Sequence, residues 1–173
     1  MPKIIEGVRE QLLSVAREQI STQGYKKTTI RSVAGACGLG VGTVYNYFAS
    51  KDMLIASFML EDWQRCLARM KSVSTEDAET AAEHIYRSLS EFIDMHRALF
   101  SDEDAAKVFS TVFSERHGQL RFQIAAVLRP LCERAEVRDK DFLAEFTAEA
   151  LLSWTVEGKP FESLFPVLSL LLK

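Results

Sequence analysis

The chain contains little cysteine, glycine or proline. Its 173 residues include 3 cysteines, 8 glycines and 4 prolines. The cysteines, at Cys37, Cys66 and Cys132, lie far apart and form no C-x-x-C pair, which argues against a disulfide-stapled miniprotein and a cysteine-rich metal site. We therefore expect free thiols in a reducing compartment.

Long apolar runs are missing as well. The longest, residues 161–172, is interrupted by Glu162, Pro166 and two serines, and it is too short to span a bilayer. Residues 1–10 carry four charged side chains and lack the apolar segment of a signal peptide. These absences predict a cytoplasmic protein without membrane association.

Strand-like alternation is absent too, and apolar residues instead recur at intervals of three and four. Val8, Leu12, Ala16 and Ile20 share one helical face and Gly24 is a stop signal, so the pattern predicts a helix over residues 3–23. The few glycines are concentrated between residues 24 and 42, which leaves long uninterrupted segments elsewhere. The sequence predicts an all-α fold of about nine helices.

Capping side chains indicate where the later helices begin. Thr29 precedes a short helix, and Ser50 precedes a long helix that reaches about Met70. Three further starts combine a capping oxygen with first-turn acids: Thr75, Ser101 and Asp139. We expect Pro130 to bend or interrupt a helix over about 119–134, and Pro160 to open the final helix.

Two short helices within residues 29–48 are joined by a turn that contains glycine, the arrangement of a helix-turn-helix. Gly38 permits the reversal of the chain, while Leu39, Val44 and Phe48 point into a small core. The rest of the second helix is expected at an exposed rim: Gly40, Val41, Gly42, Thr43, Tyr45, Asn46 and Tyr47. A purely structural turn, with Tyr45 in the core, is the alternative interpretation.

The motif consists of TTIRSVA at residues 28–34, GLGVGTVYNYF at residues 38–48, and Ser50-Lys51. In these residues the chain resembles the DNA-binding domain of the TetR family of bacterial transcriptional regulators. The resemblance extends over about residues 5–60, a third of the chain. The other two thirds resemble the family only in being helical and of suitable length.

The resemblance implies a role for each position of the motif. The start of the first short helix would meet the DNA, the start of the second would lie in the major groove, and the two tyrosines and the lysine would contact phosphates. The implied contacts are Thr29, Arg31, Gly40, Val41, Gly42, Thr43, Tyr45, Tyr47 and Lys51. Gly40 and Val41 depart from the polar or basic residues usual in the family, so apolar contact and DNA shape must contribute more of the specificity.

The distribution of charge supports this interpretation independently of the family. The whole chain has a formal charge of −3. Residues 1–53 hold seven basic and four acidic side chains, a net charge of +3, while residues 54–173 carry −6. The basic part contains the motif, and such a patch steers association with DNA.

Residues that indicate catalysis are not grouped in the sequence. His84, His96 and His117 are unevenly spread and do not pair with cysteine or carboxylate at metal-ligand spacing. No phosphate-binding glycine loop and no G-x-S-x-G motif occurs. We therefore expect neither an enzyme nor a bound cofactor or metal.

The region after the motif is rich in aromatic and sulfur-containing side chains, most of which would form plain core. In the TetR family this region encloses an effector pocket, which would suit a hydrophobic or aromatic small molecule here. The candidate contacts are Trp63, Phe92, Met95, His96, Phe109, Phe113 and Phe122.

The last two helices have large apolar faces, and the final helix is apolar nearly all round. Such a helix needs cover on two sides, which a four-helix bundle between two copies of the chain supplies. The candidate dimer contacts are Phe146, Ala150, Trp154, Leu164, Leu168 and Leu171. A wholly intramolecular core helix is the alternative.

The sequence thus predicts a helix-turn-helix DNA-binding domain at residues 1–50 and a helical effector-binding and dimerisation domain at residues 51–173. The predicted function is a homodimeric transcriptional regulator, a repressor released by its ligand, on a pseudo-palindromic operator in double-stranded DNA. A helical small-molecule or lipid-binding protein that never contacts DNA is the alternative.

Overall fold

The computed structural model describes residues 6–72 and 77–172, and only the backbone of residues 109–116. Within these ranges every regular element is a helix, which confirms the predicted all-α class. The helices are α1 (Val8–Lys27), α2 (Ile30–Ala36), α3 (Val41–Tyr45), α4 (Lys51–Lys71), α5 (Ala78–Met95), α6 (Arg97–Phe100), α7 (Glu103–Cys132), α8 (Lys140–Val156) and α9 (Phe161–Leu171).

The chain forms two compact units. The first comprises Met1–Trp63 and Met95–Thr111, and the second comprises Gln64–Asp94 and Val112–Lys173. The first unit contains all of α1, α2, α3 and α6. The second contains all of α8 and α9. The predicted functional division after residue 50 stays a prediction.

Helix α1 is held by an apolar face that includes Leu12, Ala16 and Ile20, each 3% exposed or less. Gly24 interrupts it with a φ of 82° and a ψ of 173°, but helical hydrogen bonding resumes and α1 ends only at Lys27. The sequence therefore located the break correctly and placed the helix end too early. The added turn brings Tyr25 into the core, where it is 7% exposed.

Most of the predicted caps form. The Ser50 hydroxyl accepts a hydrogen bond from the Met53 amide at 3.1 Å, and the Asp139 carboxylate accepts one from Phe142 at 2.9 Å. The start of α7 is a correction, because the oxygen that caps it belongs to Asp102 and not to Ser101. The predicted start at Thr75 lies outside the described residues.

Helix α7 is another correction. Residues 102–134 were expected to hold two helices, yet α7 runs unbroken over 30 residues and continues past Pro130 to Cys132. Pro130 lies within the last turn, where few residues of the helix follow it. The short helix α6, on the other hand, was not predicted. Among the described residues no helix is long and apolar enough to cross a membrane.

Candidate nucleic-acid interface

The start of α2 is fixed by reciprocal hydrogen bonds. The Thr29 hydroxyl accepts from the Ser32 amide at 3.0 Å, and the Ser32 hydroxyl accepts from the Thr29 amide at 2.9 Å. Gln19 of α1 completes this capping box, since its side-chain amide donates to the Ser32 carbonyl at 3.2 Å and its oxygen accepts from the Ser32 hydroxyl at 2.6 Å. The beginning of α2 is thus tied to α1.

The turn between α2 and α3 depends on Gly38. Its φ of 68° lies in the left-handed region, which glycine adopts without a steric penalty. The reversal lets the Leu39 amide donate to the Ala34 carbonyl at 2.9 Å, which closes the end of α2. Helix α3 then begins after Gly40, whose carbonyl accepts from the Thr43 amide at 2.9 Å. These are the geometric elements of a helix-turn-helix.

One side of α3 packs inward and the other faces solvent. Val44 is fully buried and Phe48 is 5% exposed, as the sequence predicted. Tyr45 is 54% exposed, so it is not the core tyrosine of the alternative interpretation. Gly40 and Gly42 are exposed, while the side chains of Val41, Thr43 and Tyr47 are partly exposed.

An open groove of about 520 Å³ runs beside α3. Five of the nine predicted DNA contacts line it: Thr29, Arg31, Val41, Tyr45 and Lys51. Ile30, Ala49 and Ser50 complete its walls. Gly40, Gly42, Thr43 and Tyr47 belong to the same short segment but do not line this groove. The structure thus gathers the start of α2, one face of α3 and the start of α4 around one concave surface.

Lys51 is held in place from within the first unit. Its Nζ donates to the Tyr25 carbonyl oxygen at 3.0 Å and lies 3.4 Å from the centre of the Tyr25 ring. Burial lowers the pKa of the Lys51 ammonium group, an effect that nearby carboxylates, Asp52 first among them, oppose. The Tyr25 hydroxyl donates to Asp52 at 2.6 Å. Sequence reasoning missed Tyr25 as the support of Lys51, because nothing local connects residues 26 positions apart.

Arg31 differs from three other cations of this region. Arg9, Arg17 and Lys26 each lie within 4 Å of a carboxylate oxygen. Arg31 is exposed on the groove, and none of the described carboxylates pairs with it. Its guanidinium group is therefore available to a phosphate or to a guanine edge.

The sequence of this segment matches a known family. The family model described as "Bacterial regulatory proteins, tetR family" matches residues 12–58, which span most of α1, all of α2 and α3, and the start of α4. Residues 12–58 are therefore similar to the DNA-binding segment of the TetR family. The match covers the helix-turn-helix and the helices that support it.

Relatives and solved structures extend the similarity to different degrees. The regulator UidR of Escherichia coli is 35% identical over 63 residues, which are 36% of this chain and 32% of UidR, so the chain spans about a third of that relative. The repressor Rv1474c of Mycobacterium tuberculosis is 28% identical over 98% of this chain and 96% of its own length. A transcriptional regulator from Rhodococcus sp. Rha1, 17% identical, shares the fold with a TM-score of 0.62 over 91% of this chain and 86% of its own.

The predicted effector contacts of the chain have different surroundings. Trp63 and His96 of the first unit are buried, whereas Met95 is 49% exposed. In the second unit Phe92 is buried and Phe122 is 63% exposed. The side chains of Phe109 and Phe113 lie outside the described residues. His96 lies near the Asp62 carboxylate and the rings of Phe58 and Phe100. The effector site stays a prediction.

The predicted dimer contacts divide into buried and exposed side chains. Leu164 and Leu168 are 7% and 1% exposed, so they pack inside their own chain. Trp154 is partly covered, because the Lys159 ammonium lies 4.5 Å from its ring centre. Ala150 and Leu171 are also partly exposed.

A different set of apolar side chains on these helices faces solvent. Phe146, predicted from the sequence, is 46% exposed, and it stacks on Phe142, which is 65% exposed. On α9 the sequence missed Val167 and Leu170, which are 57% and 69% exposed. Helices α8 and α9 contact each other within the second unit. We expect exposed apolar side chains in such number to bind a partner, and the dimer surface stays a prediction.

Proposed function

We propose that this protein is a transcriptional regulator that binds a pseudo-palindromic DNA operator as a homodimer, and that it is a repressor released by a small-molecule effector. The observation that carries the proposal is the groove between the start of α2, the exposed face of α3 and the start of α4, in the basic part of the chain. A helix-turn-helix presents its second helix to the major groove, and a twofold dimer presents two such helices about 34–36 Å apart.

Base recognition by this surface has an unusual chemistry. Gly40, Val41 and Gly42 have no side chain that forms hydrogen bonds, so the start of α3 approaches the DNA closely and reads thymine methyl groups and groove shape. Thr43 supplies a hydroxyl and a methyl group. Of the two cations of the groove, Lys51 donates to the Tyr25 carbonyl, whereas Arg31 pairs with none of the described carboxylates. This makes Arg31 the candidate for a two-bond contact with guanine or phosphate.

The first experiment locates an operator and removes two hydroxyl groups. The protein is tested against double-stranded DNA from upstream of its own coding sequence, with footprinting to define the site. Thr43→Ala with Tyr47→Phe is expected to weaken operator binding by about tenfold or more, because each lost hydrogen bond leaves a charged phosphate or a base edge without its partner.

The matched control removes two exposed hydroxyl groups of α1 instead. Ser21 and Thr22 lie in α1, outside the helix-turn-helix, and donate to the Glu18 carbonyl, so Ser21→Ala with Thr22→Ala is expected to bind as the wild type does. Equal binding by both double variants would refute the site assignment. No binding by the wild type at low salt would instead favour the alternative, a small-molecule or lipid-binding protein.

A second experiment tests Arg31 through salt. Neutralising a phosphate contact reduces the number of counterions that binding releases, so Arg31→Met should make the plot of log affinity against log salt less steep by about one. Arg138→Met removes the same charge from an exposed position of the second unit and should leave the slope unchanged. If Arg31→Met keeps the wild-type slope, Arg31 does not contact a phosphate. A guanine contact would then be tested by substituting each operator base pair in turn, because Arg31→Met should lose the preference for guanine at one position.

The effector and its coupling to DNA belong to the same proposal. Such a regulator acts in the cytoplasm, and its effector is a hydrophobic or aromatic small molecule. Helix α4 begins at Lys51, beside the groove, and a ligand that prefers another spacing of the two helix-turn-helix motifs would lower operator affinity. An operator affinity that no compound of a broad screen changes would contradict release by ligand.

A further inference from the structure

A buried carboxylate in the first unit joins two other helical elements to α4. Asp62 of α4 is 3% exposed. Its two oxygens accept hydrogen bonds from the Arg17 guanidinium group of α1, at 3.0 Å from Nε and 3.1 Å from Nη2. The Nε2 atom of His96, the residue that precedes α6, lies 3.3 Å from the same carboxylate. Asp62 thus has a basic neighbour from α1 and another from the start of α6.

Phe58 gives the same two side chains a second contact. It lies one helical turn before Asp62, so both side chains project from the same face of α4. The Arg17 guanidinium carbon lies 5.3 Å from the centre of the Phe58 ring, and the His96 ring stacks on Phe58 at 5.9 Å with an angle of 17° between the planes. Arg17 and His96 therefore each contact both the carboxylate and the ring.

The chemistry of this cluster favours one arrangement of the three helices. A buried carboxylate destabilises the fold unless its hydrogen-bonding partners are in place. Three apolar side chains of similar volume would also fill this space, but they would pack in several arrangements of the helices. A guanidinium fork on a carboxylate also fixes direction as well as distance. Any shift of α1 along α4 would break both Arg17 bonds and leave the Asp62 charge buried without them.

Helix α1 carries this constraint to the DNA-binding surface. Gln19 lies two residues after Arg17 and holds the start of α2 through Ser32. Tyr25, which holds Lys51, comes after the interruption of α1 at Gly24. The part of α1 that Arg17 fixes is therefore tied most directly to the start of α2, at one end of the groove.

We propose that Asp62 is a positioning residue for DNA binding, which holds α1 through Arg17 and α6 through His96 and so sets the geometry of the helix-turn-helix. This inference rests on the proposed function. Asp62 does not contact DNA itself. Its effect on operator affinity passes through Arg17, α1 and the start of α2.

The test replaces Asp62 and compares it with its neighbour Glu61. Asp62→Asn keeps the shape of the side chain and removes its charge. Glu61→Gln makes the same change at a carboxylate that is 31% exposed, accepts from Arg9 at 2.6 Å and lies 4.0 Å from Arg17, too far for a hydrogen bond. Both variants add one positive unit to the net charge, so general attraction to DNA changes equally. We expect Asp62→Asn to bind operator about tenfold or more weakly. Glu61→Gln should stay within about twofold of the wild type.

A second variant keeps the test decisive if Asp62→Asn fails to fold. Arg17→Lys preserves the charge and the buried carboxylate but loses the two-bond fork. It is expected to weaken operator binding in the same direction, with helical content unchanged by circular dichroism. Normal operator affinity in a folded Asp62→Asn, or in Arg17→Lys, would overturn the proposal.

A separate measurement distinguishes positioning from mere stabilisation. If the cluster is coupled to DNA binding, DNA binding must in turn act on the cluster. The chain has three histidines, so the His96 imidazole resonance can be assigned by comparison with His96→Asn. We expect operator DNA to shift this resonance in the wild type and not to shift that of His84. An unmoved His96 signal with operator bound would overturn the proposal, whereas a wild type that binds no DNA would overturn the proposed function instead.

Discussion

The ammonium group of Lys51 lies over the ring of Tyr25, 3.4 Å from its centre. The carbonyl of Tyr25 accepts a hydrogen bond from the same ammonium, and its hydroxyl donates to Asp52. Tyr25 is therefore held at both ends by the first two residues of α4. This contact joins the end of α1 to the start of α4, at the edge of the proposed DNA-binding groove.

Tyr25 should respond to alkaline pH in a distinctive way. Burial, helped by the Asp52 carboxylate, raises the pKa of its hydroxyl above the ordinary value of 10.0. The Tyr25 hydroxyl has a higher pKa in the folded state than in the unfolded state, so the protonated hydroxyl stabilises the fold. This stabilisation is complete below about pH 10 and declines as the pH rises toward the folded-state pKa. Ultraviolet absorbance should show one phenol that ionises only as the protein unfolds. Tyr25→Phe should abolish that late phase; its persistence in this variant would contradict the assignment.

Two glycines in the helix-turn-helix should respond in opposite ways to alanine. Gly38 has a positive φ, so Gly38→Ala should lower the free energy of unfolding by about 1–2 kcal/mol. Gly35 lies within α2, with nothing within 4 Å of an added Cβ, so Gly35→Ala should raise it by about 0.5–1 kcal/mol. Urea denaturation measures both changes. Equal effects of the two substitutions would show that the left-handed turn does not limit stability.

The exposed apolar side chains of α8 and α9 predict the response of the proposed dimer. Phe146→Glu with Leu170→Glu should give folded monomers, because both side chains face solvent in the single chain and would place charges in the interface. Size-exclusion chromatography with light scattering measures the mass. Leu60→Glu, at a leucine of the first unit that is 47% exposed, is the control and should remain dimeric. A dimer that survives the double substitution would place the interface elsewhere.

Local chemistry explains what the sequence predicted well. Thr29 and Gly38 act within a few residues of themselves, through a capping hydroxyl and a left-handed turn, so their roles were evident from the sequence. Within the described residues the helix count agreed for a less satisfactory reason. The unpredicted α6 was offset by α7, which joins the segment that begins after Ser101 and the segment over about 119–134 into one helix.

Long-range partnerships explain what the sequence could not supply. Arg17, Asp62 and His96 come together only once α1, α4 and α6 pack, and 45 residues separate the first two. Because Asp62 could not be recognised as a neighbour of His96, the sequence predicted His96 as an effector contact. In the structure His96 is buried beside the Asp62 carboxylate. Leu168 was likewise predicted at the dimer surface. Because α9 is apolar nearly all round, its sequence does not distinguish the side chains that face the core of their own chain, such as Leu168, from those that face solvent.

The glycines at the start of α3 make the proposed recognition surface open to change. A Cβ added at Gly42 would meet nothing within 4 Å, and one at Gly40 would meet only the Thr43 hydroxyl, at 3.9 Å. The fold would thus accommodate a new side chain at either position, which would exchange close backbone approach to the DNA for a side-chain contact. Under the proposed function, Gly40→Arg or Gly42→Asn could give the protein a preference for bases that it does not yet distinguish. A change in the preferred operator sequence during evolution therefore needs only a single substitution at Gly40 or Gly42, which the fold accommodates.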